Sequence, residues 1–208
     1  MRAYIYVGGA ICADRITERP GEEDLRIAAD SGYANAVALG VVPSVVLGDF
    51  DSLDKNTLPK GIEIHTVPAE KDFTDTQMAV DFALSRGCND LVIIGGLSGR
   101  LDHTLSNLAI LEEMHARRVH AVIADGCNRV RFLRNGSILV ARSAYRYLSI
   151  LAADPVVKGV DAEGLKYPLK NAKLSRLNQY AVSNEITRNC ALISVKKGGI
   201  FLVESADA

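Results

Sequence analysis

A short apolar run, Val45-Val46-Leu47, leads through Gly48 directly into two acids in Gly48-Asp49-Phe50-Asp51-Ser52. No polar residue alternates with the apolar ones, so the run reads as a strand buried on both faces. Such strands belong to parallel sheets covered by helices above and below. In open sheets of this kind the reactive groups gather at the carboxyl ends of the strands. Asp49 and Asp51 are two residues apart and project the same way from extended backbone. Two like charges side by side favour a cation between them. Magnesium suits the pair, since it takes one or two carboxylates together with water and phosphate oxygens. The competing reading is a polar turn, for which Asp, Gly and Ser are ordinary residues.

The surrounding chain supports the parallel sheet. Strands are expected over residues 3–7, closed by Gly8-Gly9, and over 25–29, closed by Asp30-Ser31-Gly32. A helix is expected over 33–39, with Gly40 as its C-terminal stop. A strand over 61–67 precedes a helix that begins near Thr74, where Thr74 and Gln77 form a capping box. Met78 and Phe82, with Ala79 and Leu84, make its apolar face, and Gly87 ends it. A strand over 91–94, a helix over 105–114 with Leu105, Leu108, Ala109 and Leu111 inward, and a strand over 119–124 complete the alternation.

Near Asn128 the pattern changes to short runs separated by turn signals: residues 130–133, 138–141, 147–151, 192–195 and 200–203. Asn135-Gly136 and Gly198-Gly199 read as hairpin turns between them. The chain therefore divides into a doubly wound, mainly parallel α/β domain over 1–128 and an all-β sandwich or open barrel over 129–208.

With 208 residues, 48% of them hydrophobic, the chain can bury a core in each. A net charge of −1 argues against a general binder of nucleic acid or membrane. Cys12, Cys88, Cys127 and Cys190 are widely spaced and show no metal-ligand pattern, which fits reduced thiols in a cytoplasmic protein. No signal-peptide pattern opens the chain, and no apolar run is long enough to span a bilayer.

Two further loops carry chemistry. Lys71-Asp72-Phe73-Thr74-Asp75 brings two more carboxylates to a strand end, beside a helix N-terminus that already favours negative charge. Lys71 supplies a cation suited to phosphate. Gly95-Gly96-Leu97-Ser98-Gly99-Arg100 lies between a strand and a helix, where glycines let backbone amides approach an anion. It has no Gly-Lys-Ser/Thr ending and is not a P-loop. Arg100 can clamp phosphate with two donors, and Asp102 either caps the helix or takes part in binding. His103 is suited to phosphate, to a base or to a plain structural role, and Asn107 lies one turn further on the same side.

Taken together, Asp30-Ser31-Gly32, residues 48–52, residues 71–75, and Gly95-Gly96 through Gly99-Arg100 with Asp102, His103 and Asn107 resemble the thiamine pyrophosphokinase family. The resemblance covers most of residues 1–125. More loosely, Ser183-Asn184-Glu185 is similar to the substrate-side element of the family's β domain. The resemblance implies transfer of the diphosphoryl group of ATP to thiamine, giving thiamine diphosphate and AMP. It also implies a homodimer with thiamine sites shared between one chain's α/β domain and the other's β domain. On this reading Asp49, Asp51, Asp72 and Asp75 hold magnesium, and Asp49, Asp51, Asp72 and Lys71 are the catalytic set. ATP is seated by Asp30, Gly95, Gly96, Ser98, Gly99, Arg100, Asp102, His103 and Asn107, with Asp30 open to nucleotide or metal. Thr74, Asp75 and Gln77, with Ser183 and Asn184, are the substrate-side candidates. Some members place a tryptophan against thiamine, and this chain has none. The alternatives are a pyrophosphokinase for another hydroxymethyl heterocycle, such as a pterin, and a non-catalytic ATP-sensing module.

Overall fold

The structure, a computed structural model, describes residues 1–50, 58–66 and 73–207. Two compact units follow one another, Met1–Gly126 and Cys127–Ala208.

In the first unit the elements run β1 (Arg2–Tyr6), β2 (Leu25–Ala29), α1 (Gly32–Ala38), β3 (Val45–Gly48), β4 (Glu63–Thr66), α2 (Asp75–Ser85), β5 (Asp90–Ile94), α3 (Leu101–Ala116) and β6 (His120–Ala124). The strands lie in the order β4-β3-β2-β1-β5-β6, and every pairing is parallel. The run that defined β3 is buried at all four positions, as a strand covered on both sides must be. On one face Tyr4, Tyr6, Ala28, Val46, Val92 and Ile94 pack with Ala36 of α1 and with Ile16 from the β1–β2 connection. Burial pushes the Tyr6 phenol up to about 12, so it stays neutral in this layer. Gly40 ends α1 with φ 68°, the left-handed conformation that glycine adopts without strain.

Both remaining helices bury part of the expected face, Ala79 in one and Leu111 in the other, with the rest of the face shifted. In α2 the buried positions are Thr76, Ala79, Val80 and Ala83, while Met78, Phe82 and Leu84 are half-buried. Small side chains let this helix approach the sheet, and Phe82 serves instead as a platform for Arg86, whose guanidinium lies 4.6 Å from its ring centre. In α3 the buried positions are Asn107, Ile110, Leu111 and Met114, and Leu105 is 59% exposed. The helix begins four residues earlier than expected, at Leu101, which places Asn107 on its inner face.

The second unit is antiparallel throughout. Its strands are β7 (Asn128–Arg134), β8 (Ser137–Ala141), β9 (Tyr147–Ala152), β10 (Val156–Glu163), β11 (Leu169–Ser175), β12 (Cys190–Lys197) and β13 (Gly199–Ser205). One layer has the order β7-β13-β9 and the other β11-β10-β12-β8. Leu133, Leu148, Ile150, Ile200 and Leu202 of the first pack against Val140, Val157, Val160, Leu174 and Ile193 of the second, which makes a sandwich. Strands β10 and β11 were not legible in the sequence. Their pairing shifts register twice, Gly159 sits within β10 at φ 66°, and β11 is rich in lysine.

Neither Asn135-Gly136 nor Gly198-Gly199 is a hairpin. β7 pairs with β13 and β8 with β12, so each turn carries the chain from one layer to the other. The residue types report tight backbone geometry, here φ 49° at Asn135 and 107° at Gly198, while packing decides which strands pair. The two corners bond to each other: the Gly198 N–H donates to Asn135 Oδ1 at 2.9 Å.

Charge is buried in this unit in a compensated form. Glu204, 2% exposed, accepts from both Nε and a terminal nitrogen of Arg129, at 2.9 and 2.6 Å, and also from Arg131. Nearer the surface, Arg134 grips Asp154 with two bonds of 2.7 Å, and the Gly199 N–H adds a third at 3.1 Å. The Arg134 bond holds the Asp154 carboxyl below the usual carboxylate range. A group whose folded pKa is lowered stabilises the fold above its unfolded value, and that contribution is lost as pH falls through the folded one. Asp154→Asn is therefore expected to cost about 1–2 kcal/mol near neutral pH, allowing for partial exposure. The deficit should shrink below about pH 4. Denaturant titrations at pH 7 and pH 3 check this, and an equal deficit at both pH values would contradict it.

Candidate active site

A cleft of about 710 Å³ opens at the carboxyl ends of β1, β2 and β5. This is where the sheet order reverses, since β1 lies between β2 and β5, and it is the position at which such sheets bind ligands. Three turns meet there. The first is Val7-Gly8-Gly9 after β1, the second Asp30-Ser31-Gly32 after β2, and the third Gly95 to Gly99 after β5.

The turns touch so closely that side chains are excluded. A Cβ at Gly32 would stand 2.1 Å from Tyr6 O, and one at Gly95 would stand 2.6 Å from Val7 O. Gly95 and Gly96 also have φ of 98° and 74°. Asp30, which is not glycine, holds φ 47° between them, and its N–H is tied to Leu47 O at 2.7 Å. Backbone strain of this kind persists where the surroundings fix it and is common at functional sites.

The carbonyls of residues 7–10 after β1, and that of Gly96 in the third turn, are bonded from within. Asn35 of α1 donates through Nδ2 to Val7 O at 2.7 Å and to Gly9 O at 2.9 Å. Gly96 N–H takes Gly8 O at 2.9 Å, and Ser98 Oγ donates to Ala10 O at 3.2 Å. Asn107, 4% exposed, donates through Nδ2 to Gly96 O at 2.9 Å. Among the described residues, no acceptor takes the N–H of Gly8, Gly9, Ser98 or Gly99.

Of the residues expected at the site, Asp30, Thr74, Asp75, Gly96, Ser98, Gly99, Arg100, His103 and Asn107 line this one cleft. Thr74 is the N-cap of α2, and its Oγ1 accepts from Gln77 N–H at 3.2 Å. The reciprocal half of the capping box is not made, because the Gln77 amide donates to Glu113 of α3 at 3.4 Å. Gln77 does not line the cleft, nor do Gly95 and Asp102. Asp102 is not the cap of α3; Arg100 occupies that position without a side-chain cap bond. The Asp102 carboxylate takes the Arg100 fork at 3.2 and 2.6 Å, which pushes its pKa down to about 2. Both groups are exposed, so the pair adds little stability; its effect is to aim the guanidinium.

Asp49 follows β3 directly and is half-buried outside the cleft lining, and the next residue, Phe50, has φ 61°. Asp51, Lys71 and Asp72 lie outside the described residues. In the β unit Asn184 is buried, and its side chain is engaged with main chain. Its Oδ1 accepts from Tyr167 N–H and its Nδ2 donates to Tyr167 O, at 3.0 and 2.7 Å. Ser183 beside it is exposed with φ 56°. Asn35 was missed from sequence. Its signal was a lone amide inside an otherwise apolar helical run, Gly32-Tyr33-Ala34-Asn35-Ala36-Val37.

Among the described residues, no three His, Cys, Asp or Glu side chains form a group able to hold a metal ion by themselves. Magnesium needs no such cage, since water and phosphate supply most of its ligands. The hard oxygens of Asp30 and Asp75 on the cleft wall are the right donor type for it.

A glycine-lined cleft at the reversal point of a parallel sheet, in a chain that continues into a β-sandwich, is the frame of a transferase. The chain belongs to the thiamin pyrophosphokinase family: the family's catalytic domain matches residues 18–123, and its vitamin B1 binding domain matches residues 137–200. Thiamine pyrophosphokinase of Bacillus subtilis is 27% identical over 197 residues, 92% of each chain. Thiamin pyrophosphokinase 1 of Caenorhabditis elegans is 27% identical over 171 residues, 78% of this chain and 70% of the relative. The crystal structure of thiamin pyrophosphokinase from Geobacillus thermodenitrificans superposes with a TM-score of 0.86 at 29% identity, over 100% of this chain and 99% of that one. That of the Bacillus subtilis protein gives 0.87 at 24% over the whole of both chains, a likeness of fold. Neither the pterin nor the ATP-sensing alternative finds support in these matches.

Gly96 and Gly40 have similar φ, 74° and 68°, but only Gly96 is crowded, its added Cβ lying 2.6 Å from Asn107 Nδ2. Gly96→Ala is therefore expected to lose more stability than Gly40→Ala, by about 1–3 kcal/mol. Thermal melting compares them, and equal losses would show that φ alone sets the cost.

Proposed function

We propose that the cleft of the α/β unit seats the polyphosphate of ATP with magnesium, and that Ser183 and its neighbours in the β unit take thiamine. The reaction is that of the family: the diphosphoryl group of ATP passes to the hydroxyl of thiamine, giving thiamine diphosphate and AMP. The observation that carries the assignment to this cleft is its lining. Four main-chain N–H groups that find no acceptor among the described residues, together with the Arg100 fork, stand where the sheet order reverses.

In the transfer the thiamine hydroxyl oxygen bonds to the β-phosphorus, and the bond from that phosphorus to the bridging oxygen of AMP breaks. The hydroxyl proton leaves to a carboxylate of the site. Such a step depends on positioning and on neutralising charge more than on a strong nucleophile. Arg100, already aimed by Asp102, meets phosphate oxygens with two donors, and Lys71 supplies a second cation. Asp49, Asp51, Asp72 and Asp75 would hold magnesium, with Asp30 as a further oxygen donor. Magnesium, when bound, offsets the charge of the β- and γ-phosphate oxygens. Asn107 acts through the glycine turn it anchors, and Asn184 by tying the chain beside Ser183 to the main chain of Tyr167.

The chain is further proposed to work as a cytoplasmic homodimer with thiamine sites shared between chains. Cys12, Cys88, Cys127 and Cys190, none of them in a disulfide, fit a reducing compartment. Exposed Leu139 and Leu192, paired across β8 and β12, offer an apolar surface. No described helix is long and apolar enough to cross a membrane.

Purified protein given ATP, magnesium and thiamine should release AMP and thiamine diphosphate in equal amounts, read by chromatography. ADP with thiamine monophosphate would put the attack at the wrong phosphorus. Asp49→Asn should lower turnover at least about a hundredfold, and Ser183→Ala should raise the KM for thiamine more than that for ATP. Mixing the two inactive or weakened chains should restore activity if sites are shared, because one of the two sites then lacks both changes. No recovery on mixing would argue for sites within single chains.

A further inference from the structure

The carbonyl oxygens of the cleft are as informative as its amides. A polyphosphate carries only acceptors, so any carbonyl turned toward it repels, and a loop that binds one must dispose of its own oxygens. Here Val7 O, Gly8 O, Gly9 O, Ala10 O and Gly96 O all have donors from within the unit. Two of those five depend on one side chain. Asn35 spends both hydrogens of its amide nitrogen, on Val7 O at 2.7 Å and Gly9 O at 2.9 Å. Both partners are main-chain oxygens, which fixes which end of the amide faces them. The same nitrogen lies 3.3 Å from where a Cβ of Gly95 would be, so it sits at the junction of the first and third turns.

We infer that Asn35 is a positioning residue for polyphosphate. By holding the Val7 and Gly9 carbonyls it leaves the Gly8 and Gly9 amides as the groups the turn presents to an anion. The inference rests on the reading of the cleft as the polyphosphate seat. Asn35 touches no substrate on this account; it sets the polarity of the backbone that does. Aspartate at this position has the shape of asparagine but, ionised, no hydrogen to donate, and it would set an anion against both oxygens.

Two probes separate this role from simple support of the fold. Inorganic tripolyphosphate, with magnesium, tests the anion subsite, and adenosine tests the rest of the nucleotide site. Both are measured as inhibitors competing with ATP, alongside the KM for thiamine and thermal melting. Asn35→Ala is expected to weaken tripolyphosphate inhibition about tenfold, the scale of two lost hydrogen bonds. Asn35→Asp should weaken it more, with adenosine inhibition and the thiamine KM unchanged in both. If one variant does not fold, the other decides. Equal weakening of both probes would make Asn35 a structural residue only and overturn the inference. Full tripolyphosphate inhibition in both variants would overturn it while leaving the site standing. Failure of tripolyphosphate to compete in the unaltered protein would overturn the site reading itself.

Discussion

The close approach of three turns at the carboxyl ends of β1, β2 and β5 is the constraint from which the geometry of the cleft follows. Tyr6 O and Val7 O occupy the space that side chains at Gly32 and Gly95 would need. With side chains removed, backbone is left facing backbone, and every oxygen there needs a donor. Three of those donations come from Asn35 and Asn107, on the helices α1 and α3. The fold thus brings glycine turns and main-chain amides to one cleft, and Arg100, Asp30 and Asp75 line the same cleft.

Much of this was legible in the sequence, and the reasons are particular. β3 announced itself because a strand covered on both faces has no polar residue to hide, and Gly40, Thr74 and the glycine turn after β5 carry residue types that few other conformations explain. The inner faces of α2 and α3 were read in part: Ala79 and Leu111 are buried as expected, but Thr76, Val80 and Ala83 rather than Met78 and Phe82 complete the first face, and Asn107, Ile110 and Met114 rather than Leu105 and Ala109 complete the second. An apolar count cannot register the advantage of a small residue where helix and sheet come close. Asn35 escaped for a similar reason, as its partners are carbonyls of a turn 26 and 28 residues away.

The β unit shows the same limit in another form. Asn135 and Gly198 were recognisable as tight corners, yet their strands pair with others because the sandwich core, not the turn, selects partners. Asn184 reads as a substrate-side residue by motif, and its amide bonds both main-chain groups of Tyr167. A polar residue in a motif can serve the motif by shaping its neighbour.

The placement of β13 carries a consequence for how the molecule is made. It lies between β7 and β9, and it follows every other strand in the chain. The corner bond from Gly198 to Asn135 joins residues 63 apart in sequence. The α/β unit has all its strands once residue 124 has left the ribosome, and it can close while synthesis continues. The β unit cannot: until β13 emerges, β7 and β9 wait with unpaired edges and without Ile200 and Leu202 in the core. Maturation of this chain is therefore sequential, and the step exposed to misassembly is the insertion of its last strand.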